Sequence, residues 1–440
     1  MAISRRNLLG AAAALGLAPV AASVASTGAM NGGCASTTAR PVGLPAAPAG
    51  VSPQALASDE AFWAQVAGSY ALTDELALLD NGYFGAMNLP VLQAYQQTTA
   101  QVNQGNSWFA RSQFPALMRP LQEQLAAFLG VASDEIVLTR GATEALQALI
   151  GGYNRLAAGD QVLYADVDYD SMIAAMRWLA QRRGVQPVAI ALPDPATTAG
   201  LLQVYEQALQ RHPKVKLLLL TQVNHRNGML LPVAQIAAMA RARGIDVIVD
   251  AAHAVGQVTP AFNPEGVDFA GINLHKWVGA PVGVGALYIR RQRLAAIDPY
   301  MGQTDAGIHS RIHTGTANFA AYLALPTALA QFQVLPLAFR SARLLYLRDH
   351  WRRAAAQMPH IQLLGSDEAG LRSAIASFRL HGRTALADNV ALARQLRERD
   401  GVFTVHRDGL AGGACVRVTP GLFTPLAQMQ QLQQALARLG

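Results

Sequence analysis

The sequence predicts an α/β fold with a mostly parallel sheet covered by helices, followed by a smaller α+β unit. The middle of the chain alternates apolar strands with helical segments, and these strands are apolar throughout, as expected when helices cover both faces of a sheet. The last eighty or so residues change to shorter strands and helices. The length of 440 residues also exceeds one ordinary core and favours two globular parts.

Each strand is predicted from a short apolar run bounded by turn residues. An early strand is expected at 76–80, and the main sheet is expected at 135–139, 161–165, 216–221, 246–250, 267–272 and 284–289. Helices are expected at 143–150 and 233–243, and a long helical region at 320–357 is expected to be interrupted by Pro326 and Pro336. The terminal unit is expected to contain strands near 374–380, 402–406 and 414–418 and helices at 389–399 and 425–439.

Charge and cysteine content exclude several classes of protein. The net charge is +7, but no basic run or basic stripe with interleaved aromatics is present, which argues against nucleic-acid binding. The only cysteines are Cys34 and Cys415, so a zinc site of the CxxC type is excluded. The chain contains just three lysines, Lys214, Lys216 and Lys276.

The N-terminus predicts export. Arg5 and Arg6 precede an apolar run from residue 8 to 24, which is typical of a twin-arginine signal peptide and predicts a periplasmic protein. A chance arginine pair on an N-terminal helix is the alternative. We expect a signal peptide at 1–30 and a linker at 31–58; lipid attachment at Cys34 is disfavoured because the preceding residues match a lipobox poorly. No other segment is apolar enough to span a membrane.

Asp250 is predicted at the carboxyl end of a buried strand, where open α/β sheets bind their ligands. A carboxylate buried there needs a cationic partner, and the protonated ring nitrogen of a pyridine cofactor would provide one. Taken alone, an aspartate that caps the next helix is the simpler interpretation.

Lys276 follows the next apolar strand and stands 26 residues after Asp250. A desolvated lysine has a lowered pKa and forms a Schiff base with an aldehyde, a reaction that arginine cannot perform. Because nearly all the other basic residues of the chain are arginines, this lysine indicates a chemical role.

A turn with residues Gly141, Ala142 and Thr143 joins a strand to a helix. The free N–H groups and the dipole of that helix start favour a phosphate, although an ordinary strand–helix turn has the same pattern. Together, a phosphate site, an acid for a pyridinium and a Schiff-base lysine are the set that pyridoxal 5′-phosphate requires.

At these residues the sequence resembles the class V aminotransferases of fold type I, which include cysteine desulfurases and isopenicillin N epimerases. The resemblance covers about residues 75–440. It implies a seven-stranded, mostly parallel sheet in a large domain at 116–335, an N-terminal arm at 59–115 and a small C-terminal domain at 336–440. It also implies a homodimer in which Thr316, after Gly315, reaches the phosphate bound by the partner.

The resemblance assigns roles to residues of this chain. Lys276 would carry the cofactor and move the α-proton, Asp250 would pair with the ring nitrogen, and His253 would approach the ring hydroxyl. The phosphate would be held by Gly141, Ala142, Thr143, Asn273 and His275. Arg417 would bind the substrate carboxylate, with a surface salt bridge as the alternative. Phe84 and Gly85 would line the substrate site, although Phe84 is equally consistent with a core position.

Three positions depart from the family pattern. Tyr169 is the candidate for the residue that stacks on the ring, where the family often has histidine. His225 occupies the position of an asparagine near the ring hydroxyl, with Asn224 beside it. Val282 stands where a lysine is common.

Cys415 argues against desulfurase activity. A desulfurase requires a mobile thiolate, whereas Cys415 is predicted inside a strand, on the same face as Arg417.

The sequence therefore predicts an exported, dimeric enzyme that acts on an amino acid or a peptide-like or siderophore-like amine by transamination, epimerisation or elimination. A periplasmic binding protein of the same fold that has lost catalysis is the alternative from another class. An unrelated hydrolase is disfavoured because neither a Gly-x-Ser-x-Gly motif nor a metal-spaced histidine cluster is present.

Overall fold

The computed structural model describes residues 43–259 and 266–440, which lie in one compact unit. The predicted signal peptide at 1–30, Cys34 and the first part of the predicted linker lie outside these residues. The α-helices of the described part are α1 (Pro53–Ala57), α2 (Glu60–Ala67), α3 (Leu89–Trp108), α4 (Phe114–Leu129), α5 (Ala142–Gly152), α6 (Asp170–Arg183), α7 (Thr198–Arg211), α8 (Val233–Arg241), α9 (Phe319–Val334), α10 (Leu337–Ala355), α11 (Leu386–Asp400) and α12 (Leu426–Ala437).

The strands are β1 (Ala77–Leu78), β2 (Ile136–Thr139), β3 (Gln161–Ala165), β4 (Gln186–Ile190), β5 (Val215–Thr221), β6 (Asp246–Asp250), β7 (Phe269–Asn273), β8 (Gly285–Ile289), β9 (Ile361–Leu364), β10 (Ala376–Leu380), β11 (Val402–Phe403), β12 (Val405–Arg407) and β13 (Cys415–Val418). A π-helical turn, Phe109–Gln113, joins α3 to α4. Short 3₁₀ helices occur at Ser133–Glu135, Arg291–Ala296, Ile308–Arg311 and Ala369–Leu371.

Seven strands form the main sheet in the order β2-β8-β7-β6-β5-β3-β4. Only β8 is antiparallel to its neighbours, β2 and β7. This confirms the predicted α/β class with a mostly parallel seven-stranded sheet. Because β2, β5, β6 and β7 point the same way, their carboxyl ends lie along one edge, where such sheets bind ligands.

Helices cover both faces of this sheet, which explains why its strands are apolar throughout. On one face, alternate strand residues such as Leu219 and Ile248 pack against Leu149 of α5 and Met176 of α6. On the other face, residues that include Leu218 and Val249 join a cluster with side chains of α4, α7, α8 and α9. The hydrophobic effect therefore fixes the sheet between two helical layers.

A second, antiparallel sheet in the order β12-β13-β10-β9 forms the C-terminal part, with α10, α11 and α12 packed around its core. The short parallel pair β1–β11 ties the segment after α2 to this part of the chain. The C-terminal part of the chain thus contains a separate sheet with its own apolar cluster.

Two local expectations need correction. Helix α9 continues through Pro326 and ends at Val334, because its buried residues Ala321, Leu325 and Phe332 pack well enough to offset the backbone hydrogen bond that a proline removes. Within the predicted linker, residues 53–57 form α1, where the side chain of Ser52 caps the helix and Leu56 is buried. Residues 53–57, near the end of the predicted linker, therefore form part of the folded structure.

Among the described residues, no single helix has the length and apolar content to cross a membrane. The pair α9 and α10 meets the length and composition criteria only when joined, and it is bent by 76°.

Candidate functional site

A cavity of about 1600 Å³ opens at the carboxyl edge of the main sheet. It brings together residues that are far apart in the sequence, from the ends of β2, β5, β6 and β7 and from the small antiparallel sheet. The predicted site residues that line it are Gly141, Ala142, Thr143, Tyr169, His225, Asp250, His253, Asn273, His275, Lys276 and Arg417.

Lys276 lies three residues beyond the end of β7, and its amine is desolvated. Its Nζ is 2.9 Å from Nε2 of His253. Burial lowers the pKa of Lys276 to about 7, with Asp250 opposing that shift and Arg417 adding to it. The amine is therefore substantially uncharged at neutral pH, which is the form that attacks an aldehyde.

His253 is buried beside this amine, and burial holds its pKa well below the usual range. The indole N–H of Trp277 donates to Nδ1 of His253 at 3.4 Å. A neutral imidazole that accepts at Nδ1 carries its proton on Nε2, so His253 donates to the uncharged Lys276. The pair is thus arranged around a neutral lysine.

Asp250 ends β6 as a carboxylate with 4% exposure. Its Oδ1 accepts a hydrogen bond from the Ala252 amide at 2.9 Å, and burial raises the pKa of the carboxyl. No ion pair to Asp250 is found among residues 43–259 and 266–440. A buried acid without an ion-pair partner fits the protonated ring nitrogen of pyridoxal phosphate.

The start of α5 forms the second part of the cradle. Its N-cap is Gly141, which has no side chain to cap the helix. The Asn273 side chain instead accepts from the Ala142 amide at 2.7 Å. A Cβ on Gly141 would lie only 3.0 Å from Oδ1 of Asn273 and 3.2 Å from Cε1 of His275. This glycine therefore permits the close approach of the residues that would hold a phosphate.

His275 and His225 complete the polar lining. Nδ1 of His275 donates to the Val284 carbonyl at 2.9 Å, which leaves Nε2 for a ligand. Nδ1 of His225 is buried without a partner in the described part of the chain, and its ring lies 5.4 Å from that of Tyr169. The orphaned nitrogen of His225 fits a cofactor with polar ring substituents.

Arg417 enters the cavity from β13 with only 1% exposure. Its Nη2 lies 2.5 Å from Oδ1 of Asp80, and its Nη1 donates to the His225 carbonyl at 2.8 Å. Arg417 is therefore buried at the site rather than part of a surface salt bridge. The sequence interpretation did not single out Asp80, since its partner Arg417 lies 337 residues away.

Four predicted site residues do not line the cavity. Asn224 is fully buried, donates to the Val167 carbonyl and accepts from the Arg226 amide, so it shapes the turn that presents His225. Gly85 contacts the backbone of the Lys276 segment, and its amide donates to the His275 carbonyl at 2.9 Å. Phe84 and Thr316 are exposed.

Cys415 is completely buried, and burial raises the pKa of its thiol to about 11. Register places it opposite Arg407 on β12, and strand alternation places it on the same face as Arg417. Among the described residues, no cluster of three or more histidine, cysteine, aspartate or glutamate side chains could hold a metal ion.

Comparison with known proteins agrees with this geometry. A family model described as aminotransferase class-V matches residues 88–436. Isopenicillin N epimerase from Streptomyces clavuligerus is 27% identical over 399 residues, which cover 86% of this chain and 98% of that protein. A probable cysteine desulfurase from Vibrio cholerae is 30% identical over 288 residues, which cover 62% of this chain and 69% of that protein.

Solved structures show the same fold. The cysteine desulfurase CsdA from Escherichia coli matches with a TM-score of 0.72 at 22% identity, covering 86% of this chain and 98% of that one. A mutant of C-DES with glycine covalently linked to the PLP cofactor matches with a TM-score of 0.71 at 22% identity, covering 83% of this chain and 97% of that one. The predicted fold type is confirmed.

Proposed function

This chain belongs to the aminotransferase class-V family, whose enzymes use pyridoxal phosphate, and we propose that it is an exported enzyme acting on the amino group or α-carbon of an amino acid or amino-acid-derived substrate. One observation carries the proposal: a desolvated lysine, Lys276, and a buried, unpaired carboxylate, Asp250, share one cavity with Arg417. The proposed amino-acid-derived substrates include peptide-like and siderophore-like amines.

When bound, pyridoxal phosphate supplies an electron sink for the bonds of the substrate α-carbon. The residues of this chain have complementary tasks. Asp250 provides the negative charge that keeps a ring nitrogen protonated, Lys276 holds the cofactor and moves a proton at the α-carbon, and His253 hydrogen-bonds the amine of Lys276. The start of α5 binds the phosphate.

Arg417 is the residue proposed to bind the α-carboxylate of the substrate. Its contacts with Asp80 and with the His225 carbonyl fix the plane of the guanidinium. A guanidinium held in this way keeps further N–H groups for a carboxylate and loses little side-chain entropy on binding.

The candidate reactions at the α-carbon are transamination, epimerisation and elimination. The epimerase from Streptomyces clavuligerus matches nearly its whole length, which supports epimerisation as an alternative to amino transfer. We would incubate the holoenzyme in D₂O with L- and D-amino acids, in the presence and absence of a 2-oxo acid as amino acceptor, and analyse the products. Deuterium at Cα with inversion indicates epimerisation, an oxo acid formed in proportion to an aminated acceptor indicates transamination, and loss of a β-substituent indicates elimination. No deuterium incorporation and no product from any substrate would contradict the proposal.

We propose that cysteine desulfuration is not the activity, although cysteine desulfurases are among the relatives. Cys415 is buried within a strand, and its raised pKa disfavours the thiolate needed to accept sulfur. With L-cysteine and a thiol reductant, we expect sulfide release no higher from the wild type than from Cys415→Ala. Sulfide release that depends on Cys415 would contradict this.

Export to the periplasm is proposed from the sequence of the N-terminus. Replacing Arg5 and Arg6 by lysine keeps the charge but removes the twin-arginine pattern. We expect the wild type in the periplasmic fraction and the double variant in the cytoplasm. Equal distribution of the two proteins would contradict twin-arginine export.

A further inference from the structure

Another guanidinium, that of Arg407, faces the same cavity as Lys276 and Arg417. Arg407 ends β12 and lines the cavity. In the antiparallel pair β12–β13, Arg407 is opposite Cys415 and Val405 is opposite Arg417. Since residues two apart in a strand share a face, Arg407 and Arg417 are diagonal neighbours on the face that meets the cavity.

Arg407 has no acidic partner in the described part of the chain. Its Nη1 donates to the carbonyl of the adjacent His406 at 3.2 Å, and its Nε is buried without a hydrogen-bond partner. Among the other arginines that line the cavity, Arg417 pairs with Asp80 and Arg226 pairs with Asp170.

The charges around Arg407 leave this end of the cavity positive. Burial lowers the pKa of Arg407 to about 10, and repulsion by Arg417 adds to that shift. Asp80, the carboxylate that opposes this shift, is engaged by Arg417. The next residue, Asp408, is exposed, and its side chain accepts from the Gly409 amide. A partly desolvated guanidinium that lacks an anion favours an anionic ligand.

We propose that Arg407 binds a second acidic group of the substrate, so that the preferred substrates carry a side-chain carboxylate in addition to the α-carboxylate at Arg417. A carboxylate matches the planar fork of a guanidinium. The phosphate of the cofactor is expected at the start of α5, which belongs to a different part of the fold. Arg407 is therefore not required to bind that phosphate. This inference rests on the proposed function, because it assumes that the cavity takes an amino acid.

The test compares ligands of equal length that differ in one carboxylate. Binding of L-glutamate against L-norvaline, and of L-2-aminoadipate against L-norleucine, would be measured by titration calorimetry on the purified protein with pyridoxal phosphate present. We expect at least one dicarboxylic ligand to bind about tenfold or more tightly than its neutral partner. Arg407→Gln should reduce that ratio to near one, and Arg407→Lys should retain part of it.

A matched control is Arg394→Gln, which removes the same charge from an exposed position of α11 in the same part of the fold. We expect it to keep the wild-type ratio. No dicarboxylate preference in the wild type, or a preference that survives Arg407→Gln, would overturn the inference.

Failure of the inference and failure of the proposed function give different results. Lack of covalent cofactor on Lys276 contradicts the proposed function, whatever the calorimetry shows. Covalent cofactor on Lys276 without a dicarboxylate preference contradicts only the role of Arg407.

Discussion

At the scale of single residues, Asp250 combines two properties that rarely coexist without a ligand. The carboxylate is buried, and the described residues provide it with a backbone amide but with no ion-pair partner. Burying a charge in this way costs stability unless a cation compensates. A protonated ring nitrogen of the bound cofactor would offset the free-energy cost of burying the Asp250 carboxylate.

Asp250→Asn therefore has opposite effects on stability and on activity. Burial raises the pKa of Asp250, so its ionised form destabilises the cofactor-free protein above the unfolded pKa. We expect the variant without cofactor to unfold at a higher urea concentration at pH 7. We also expect it to lose about a hundredfold or more of its activity, because the ring nitrogen loses its counter-charge. A less stable cofactor-free variant, or full activity, would contradict this role.

Lys276 should react with a pH dependence that an exposed lysine does not show. Its pKa is lowered to about 7 by burial, so the reactive neutral amine already predominates above that pH. The rate at which the cofactor-free protein captures pyridoxal phosphate should rise from about pH 6 and level off above about pH 8. The measurement is stopped-flow absorbance. A rate that continues to rise to about pH 10 would indicate an ordinary lysine.

The sequence was informative for Asp250 and Lys276 because Asp250 ends a buried, apolar strand and Lys276 follows the next one within a short motif. Asp80 and Arg407 could not be found in this way. Asp80 acquires its role only through contact with Arg417, and Arg407 only through the pairing of β12 with β13. Such long-range contacts depend on tertiary packing, which local patterns do not encode.

At the scale of elements, the segment before α3 closes over the lysine that follows β7. The Gly85 amide donates to the His275 carbonyl, and a Cβ at Gly85 would lie 1.9 Å from the Lys276 carbonyl oxygen. The backbone of this segment, rather than its side chains, thus sets the position of Lys276.

Gly85→Ala should therefore displace the lysine segment. We expect a stability loss of about 1–3 kcal/mol and much weaker covalent capture of the cofactor. Denaturant unfolding and absorbance titration measure the two effects. Gly370→Ala is the matched control, since a Cβ there meets nothing within 4 Å. Equal behaviour of the two variants would show that the close contact at Gly85 has no influence.

The edge strand β4 shows where sequence patterns are weak. No strand was expected at residues 186–190, where Pro187 and partly exposed side chains interrupt any apolar run. In the fold, β4 is the last strand of the sheet and pairs only with β3, and proline is tolerated in such an edge strand. The central strands, which are buried on both faces, were all predicted to within a few residues.

At the scale of the whole molecule, we propose a homodimer in which Thr316 acts on the site of the partner. Thr316 is exposed and does not line the cavity of its own chain. If it acts across the dimer, a hybrid of one Lys276→Ala chain and one Thr316→Asp chain has one intact site.

This hybrid should recover about half of the wild-type activity per dimer, while each parent homodimer stays inactive. Differently tagged chains, purified by both tags in sequence, provide the hybrid. Absence of recovery would place Thr316 in its own chain's site, and a monomeric protein in light scattering would contradict the dimer.

Lys276 is proposed to carry pyridoxal phosphate, and reductive trapping of the cofactor would locate the lysine that bears it. The purified protein would be treated with borohydride and digested, and the modified lysine would be mapped by mass spectrometry. Only Lys214, Lys216 and Lys276 are available, and the first two are exposed. We expect a yellow protein with one modified lysine per chain, at Lys276. A colourless protein that takes up no added pyridoxal phosphate, or a label confined to Lys214 or Lys216, would contradict it.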